Sequence, residues 1–428
     1  MVASPPPVTR IALTAALLLG GAALAQPETY FAPIAARTPA SSPVGATAMQ
    51  ATLWLPDPGV DAAQSVLFGT GGGSTVPFRL DTQAPTTLSG LPAQVAAVAA
   101  APGVLVGGSA RTLLAISSNG AVSFVTLEAG ALVARGPGSS IPAGTQIALS
   151  AVPGGGAALL VSDGSQITRW DLDLSTGRAV ATRGLSIPAS PGGVGANDQS
   201  YSLTFDGTSN VGFVGGGIVG DLYTFDARLD AGVPRVFDAA LVSQGRLLGP
   251  VTGLAVYSGV TARYLLAANG QGITVYDLLR ATPPQSAFRV IPQDGLGQIT
   301  APAGIAVTNL PAGAALPAGV IAVGDRTQTD LALVRWDILA GQVDGGLVVD
   351  ITSDPRGTGD GGQPPDGGAP DAGGDGGSTS GPPPGGGPTG PGVPVDHSSS
   401  CATAAGGPAL LALLAGLGLL VRGRRQRR

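Results

Sequence analysis

One histidine, one cysteine and no lysine occur among the 428 residues, which narrows the chemistry before any fold is considered. A zinc or haem centre needs several His or Cys ligands, so neither is expected. His397 stands beside Ser398–Ser400, the residue types of a His–Ser–Asp hydrolase. Such a triad needs a rigid shell to hold it, and the Gly/Pro-rich surroundings supply none. Gly71-Gly72-Gly73 and Gly215-Gly216-Gly217 could cradle a phosphate, yet neither opens a helix or carries a Lys; tight turns or close strand approach account for them better. Arg169, Arg263 and Arg335 flank aromatic residues and read as solvated edge positions rather than an anion site. Asp360, Asp366, Asp371 and Asp375 sit among Gly as in some calcium-binding repeats, without the apolar residue those nonapeptides require. The net charge of −5 offers no clustered basic surface, so no nucleic-acid partner is expected.

The elements that would position any site are legible as a recurring phrase: an apolar run, a Gly-containing turn, a second apolar run, then an aromatic or aliphatic residue followed by an acid. Leu159 to Leu172 is one copy and Leu265 to Leu278 another. With 69 Gly, 37 Pro and only 11% charged residues, the chain reads as short strands and many turns rather than amphipathic helices. Strand-like self-similarity at roughly 40–50 residues is the signature of a β-propeller. Six units are expected between residues 49 and 352: around Ala51–Thr70, Val95–Glu128, Ile147–Leu174, Tyr201–Asp226, Leu254–Leu278 and Ile305–Ile338. The predicted fold is therefore an all-β, six-bladed β-propeller, with small residues on the innermost strands, where the channel crowds them.

Four flanking zones complete the division. Residues 1–25 read as a signal peptide, with Arg10, an apolar stretch from Ile11 to Leu24 and cleavage after Ala25. Residues 26–48 form a lead-in. Residues 353–400 are a Gly/Pro/Asp-rich spacer that cannot bury enough apolar area to fold. Residues 401–428 run from Cys401 through about 20 uncharged residues to an Arg cluster, long enough for a transmembrane helix with its Arg end cytoplasmic. That tail resembles the tripartite sorting signals of myxobacterial surface proteins (the MYXO-CTERM type), in which the Cys is retained as an anchor; a plain transmembrane anchor is the other reading. Either places the protein outside the cytoplasm, at the cell envelope, held to the membrane through its C-terminus. With Cys401 alone, no internal disulfide is possible and the fold must rest on core burial.

The strand phrases resemble those of the calcium-dependent β-propeller phytases. Gly253-Leu254-Ala255-Val256-Tyr257 followed by Tyr264-Leu265-Leu266-Ala267-Ala268-Asn269-Gly270 is similar to that family's "GLTIYY…YLLASSQG". Gln64 to Thr70, Gln166 to Leu172 and Leu333 to Ile338 resemble phrases of its other blades, in order. The resemblance implies a channel in which Asp and Glu hold calcium, the calcium neutralises substrate phosphates and activates a water, and Lys and Arg grip the phosphates. The positions matching the family's acids fall on Met49 and Gln50, on Ala96, near Ser200, on Gly216 and Gly217, and within Pro250 to Leu254 and Pro302 to Ala306, all of them uncharged. Asp206 is the best surviving acid, with Asp163 and Asp325 near turns the family also uses. The expectation is thus a non-catalytic propeller without cofactor that binds a surface ligand or protein partner. The alternative is a calcium-dependent phosphomonoester hydrolase of the 3-phytase kind, acting on phytate through Asp206, Asp163 and Asp325. A purely structural surface-layer role is the third reading.

Overall fold

The computed structural model describes residues 29–39, 50–136, 141–186, 201–216, 221–229, 234–238, 251–270, 272–279, 286–293, 295–299, 302–325, 330–343, 347–351 and 353–357. Ala25, His397, Cys401, the signal peptide, most of the spacer and the C-terminal tail lie outside them. Among the described residues no helix is long and apolar enough to cross a membrane.

Among the described residues, twenty-four strands account for almost all regular structure. Strand β1 is Thr29–Arg37. The first group is β2 (Gln50–Trp54), β3 (Val66–Gly71) and β4 (Ser74–Arg79). The second is β5 (Ala97–Val106), β6 (Ser109–Ser118), β7 (Ala121–Glu128), β8 (Ala131–Ala134) and the short β9 (Ile141–Pro142). Next come β10 (Gln146–Val152), β11 (Gly156–Ser162), β12 (Gln166–Asp173) and β13 (Arg178–Ser186), then β14 (Tyr201–Asp206), β15 (Val211–Gly216), β16 (Leu222–Asp226) and β17 (Arg235–Asp238). The last two groups are β18 (Val251–Ser258), β19 (Arg263–Asn269), β20 (Gly272–Asp277), β21 (Ser286–Ile291), and β22 (Pro302–Thr308), β23 (Val320–Asp325), β24 (Leu331–Arg335). One short helix, Trp336–Gln342, follows.

Turn chemistry makes these meanders. Asn119 and Gly120 both take positive φ (49° and 83°) in the two-residue loop joining β6 to β7. That is the primed-turn pattern whose twist matches the flanking strands. The second strand of a group is sandwiched between neighbouring sheets and reads as an unbroken apolar run, as in Val320–Asp325, where every residue is buried. The third strand, β12, has one face outward and mixes buried with exposed positions.

The expectation of an all-β propeller holds, and its division into six separate blades is corrected. Four sheets stand by themselves, beginning at β2, β5, β10 and β14, and the remaining strands form one eight-stranded sheet. The fusing element is β1, within the segment read as a lead-in. Thr29 to Pro33 pair parallel with β21, and after a bulge Ile34 to Arg37 pair antiparallel with β24. Spacing could not reveal this, because the hydrogen-bond partners of β1 lie about 250–300 residues away in sequence. At the other end, order continues past residue 352 to Gly357.

Apolar clusters fill the seams between consecutive groups. Trp54, Phe68, Leu114 and Ile116 pack between the first and second groups. Leu53, Leu67 and Phe78 meet Val320, Leu331 and Leu333, so the last group packs on the first and the ring closes. Ile34 is fully buried in the seam of the eight-stranded sheet, beside Val334 and Phe288. We expect Ile34→Ala to lower stability by about 2–5 kcal/mol in denaturant unfolding, whereas Phe31→Ala, on the exposed side of the same strand, costs about 0.5 kcal/mol or less.

Candidate functional site

A channel of about 680 Å³ runs through the centre of the ring, lined by β2, β5, β10, β14, β18 and β22. Ala, Thr, Val and Ser dominate its wall, for example Thr52, Ala100, Thr204, Val256 and Val307. The lining strands run in one direction. The N–H of Gly207 donates to Ser150 Oγ (3.0 Å), joining the C-terminal ends of β14 and β10. Thr252 Oγ1 donates to the Pro302 carbonyl (2.6 Å), joining the N-terminal ends of β18 and β22. The channel thus has an N-terminal and a C-terminal mouth, each with its own residues.

Asp206 closes β14 at the C-terminal mouth and is buried. Its Oδ1 accepts the Thr208 N–H (2.9 Å), and its Oδ2 accepts Ser209 Oγ (2.8 Å) and Arg263 Nη1 (3.1 Å). The carboxylate therefore folds its own turn and holds one arginine. Asp163 follows β11, whose last residue pairs with Gln146 at the start of β10, so it belongs to the opposite mouth. It lies in an exposed turn, where N–H donors of Ser165 and Gln166 and the Ser165 hydroxyl hold its carboxyl below the usual carboxylate range. Asp325 is buried at the end of β23, opposite Pro302 at the start of β22, also at the N-terminal end.

The three sequence candidates are thus not brought together. A five-residue strand rises roughly 17 Å, while calcium ligands lie about 2.3–2.6 Å from the ion. Asp206 cannot share an ion with Asp163 or Asp325. Among the described residues no group of three or more His, Cys, Asp or Glu could hold a metal. Three of the positions matching the phytase acids, Gln50, Thr252 and Ala306, line the channel. They bring no charge there.

Sequence reasoning missed a second feature, the segment 347–357. Tyr264 Oη accepts the Val348 N–H (2.8 Å), Tyr257 Oη accepts the Asp350 N–H (3.0 Å), and Asn309 Nδ2 donates to the Asp350 carbonyl (2.7 Å). Asp350 Oδ2 accepts the N–H groups of Val260 and Thr261 (2.8 and 3.2 Å). Further on, Arg356 Nη1 donates to the Val60 carbonyl (2.7 Å), and the carbonyl of Gly357 leaves no room for a Cβ at Gly103. This strap crosses the C-terminal mouth from the β18 side to the β2 and β5 side and contributes Ser353 and Asp354 to the channel wall. The expected boundary at 352 divides it: residues 347–351 fall within the expected propeller, and 353–357, with Ser353, Asp354 and Gly357, within the expected spacer. Only Trp336 gave a signal: it stacks on Tyr257 (centroids 4.7 Å apart) and its indole N–H donates to the Val348 carbonyl.

The edge reading is corrected for two of the three arginines, Arg169 and Arg263. Arg169 is buried and donates to Asp171, to Asn210 Oδ1 and to the Ala227 carbonyl. Arg335 pairs with Asp337. Arg263 lines the channel.

No protein-family model and no curated protein matches the chain. Among solved structures it is similar to the Myceliophteria thermophila Cps50 (Swd1) beta-propeller domain, at 12% identity and a TM-score of 0.36 over 69% of this chain and 98% of that one. It is also similar to the Dos1 propeller, at 11% identity and a TM-score of 0.33 over 63% of this chain and 65% of that one. A third similar structure is an auxiliary nutrient binding protein from Bacteroides thetaiotaomicron VPI-5482, at 10% identity and a TM-score of 0.40 over 68% and 69% of the two chains. Scores this low carry no inference about function, and the likeness to the phytases rests on the quoted phrases alone.

Burial pushes the Tyr257 hydroxyl up to about 12. Between pH 10 and 12 the unfolded tyrosine loses its proton while the folded one keeps it, so its contribution, fully present below pH 10, is lost as the pH rises. We expect about 1–3 kcal/mol of stability to disappear over that window, and denaturation midpoints of Tyr257→Phe to decline less steeply. Asp350→Ala removes the acceptor of the Val260, Thr261 and Ser353 N–H groups and of the Thr261 hydroxyl and should cost about 1–3 kcal/mol. It should also speed amide exchange at 347–357 more than in β18 or β22.

Proposed function

We propose that the chain is a non-catalytic binding propeller that takes a ligand into its central channel. The observation that supports this reading most directly is the state of Asp206. It is the one carboxylate on the inner strands that lines the channel, and its oxygens are already engaged by Thr208, Ser209 and Arg263. A metal-assisted attack on a phosphomonoester needs carboxylates that converge on an ion. A channel of about 680 Å³ whose wall mixes small apolar side chains with Thr and Ser hydroxyls has the size of a small-molecule site. The apolar stretch before Ala25, and the order of Cys401, apolar run and Arg cluster, support display outside the cytoplasm on a membrane anchor.

Two measurements on the full chain test this. With calcium and phytate, or p-nitrophenyl phosphate, phosphate release should stay at the protein-free blank. Native mass spectrometry with a small-molecule library should show one-to-one adducts that Thr204→Trp, which fills the channel, abolishes. Calcium-dependent turnover lost in Asp206→Asn would establish the hydrolase alternative instead.

A further inference from the structure

Three arginines in strands use their side chains alike. Arg79, Arg169 and Arg335 each turn the Nε/Nη2 edge of the guanidinium onto the Asp two residues later: Asp81, Asp171 and Asp337. Arg356 does the same with Asp354, two residues earlier. That edge presents two parallel N–H donors at the spacing of a carboxylate's oxygens.

Arg263 breaks the pattern. The residue two positions on is Leu265, which is wholly buried in a seam. Its Nη1 is held by Asp206 Oδ2 at 3.1 Å, and its Nε and Nη2 meet no acceptor among the described residues. The side chain is 27% exposed while that of Asp206 is 5% exposed, and both residues line the channel. Asp206 thus fixes the guanidinium from the Nη1 side and leaves the fork edge available at the C-terminal mouth. The wall beside it mixes apolar Val256 and the 73% exposed Val260 with the hydroxyls of Thr204, Thr208 and Ser258.

We propose that the Nε/Nη2 edge of Arg263 is the carboxylate-binding subsite of the channel, and that the ligand is an organic carboxylate with an apolar body. This rests on the channel's being a ligand site, as proposed above. The ligand supplies the acid that the neighbouring Asp supplies to Arg79, Arg169 and Arg335, and its body replaces water along the Val and Ala positions of the wall. Because Asp206 already balances the Arg263 charge, recognition comes from the two parallel hydrogen bonds rather than from long-range attraction. A point charge at the same place is therefore a poor substitute.

The test uses the full chain with 4-phenylbutyrate and octanoate, each paired with its uncharged counterpart, 4-phenyl-1-butanol or 1-octanol, and calorimetry as the readout. The carboxylates should bind about tenfold or more tighter than the alcohols. Arg263→Lys keeps the charge and a donor for Asp206 but loses the fork. It should bring the carboxylates down to the level of the alcohols, leaving alcohol binding and the thermal midpoint unchanged. Equal affinity for acid and alcohol, or full carboxylate affinity in Arg263→Lys, would overturn the carboxylate subsite while leaving the channel as a ligand site. Binding of neither member of any pair would overturn both.

Discussion

Ring closure is the constraint on which the rest depends. A chain with one cysteine cannot staple its ends, and the seams between strand groups keep their apolar faces dry only while the circle is shut. β1 shuts it by pairing with two strands in turn, parallel to β21 and antiparallel to β24. Where β1 ends, Arg37 Nη1 donates to both oxygens of Asp330 in a nearly dry ion pair, and Thr38 exchanges hydrogen bonds with Leu331. Breaking one partner of such a pair strands a buried charge, so the contact opposes opening more strongly than a surface pair would. The strap at 347–357 makes a second closure across the C-terminal mouth, tying the β18 hairpin to the loop after β2.

From closure follows the character of the channel. Strands that converge on an axis leave no volume for long side chains, so the wall is built from Ala, Val, Thr and Ser, and little chemistry fits there. The ion pair at the end of the inner strand β14 sits where there is space for Asp206 and Arg263. The strap lies over that same mouth. The two ends of the channel are therefore chemically unlike: one carries an ion pair and a cover, the other Gln50, Thr252 and Gly304.

Much of this was legible in the residues, and the physical reason differs from case to case. Strands and hairpins were readable because local turn chemistry, such as Asn119-Gly120, fixes them within a few residues. The seams were foreshadowed by apolar runs such as Leu265 to Ala268, fully buried as a second strand should be. The role of β1 was not readable, since a strand of mixed composition acquires its meaning from partners at the far end of the chain. Asp206 stood out in the sequence for its location: its place at the end of β14 was evident, its engagement by Thr208, Ser209 and Arg263 was not. Arg169 and Arg263 look alike as residues beside aromatics, yet one is buried and fully bonded and the other lines the channel.

The sequence by itself determined the class of the fold, the repeat, the position of most strands, and the scarcity of His, Cys and Lys that removes most catalytic chemistries. These follow from composition and from interactions a few residues apart, which any short window contains. Tertiary structure alone decided that β1 and the 347–357 strap belong to the ring, that Asp163 and Asp325 lie at the opposite mouth from Asp206, and that Arg263 faces the channel with an unmatched edge. Each of these is a question of direction along a closed circle, and a one-dimensional pattern carries no record of which ends of distant strands meet.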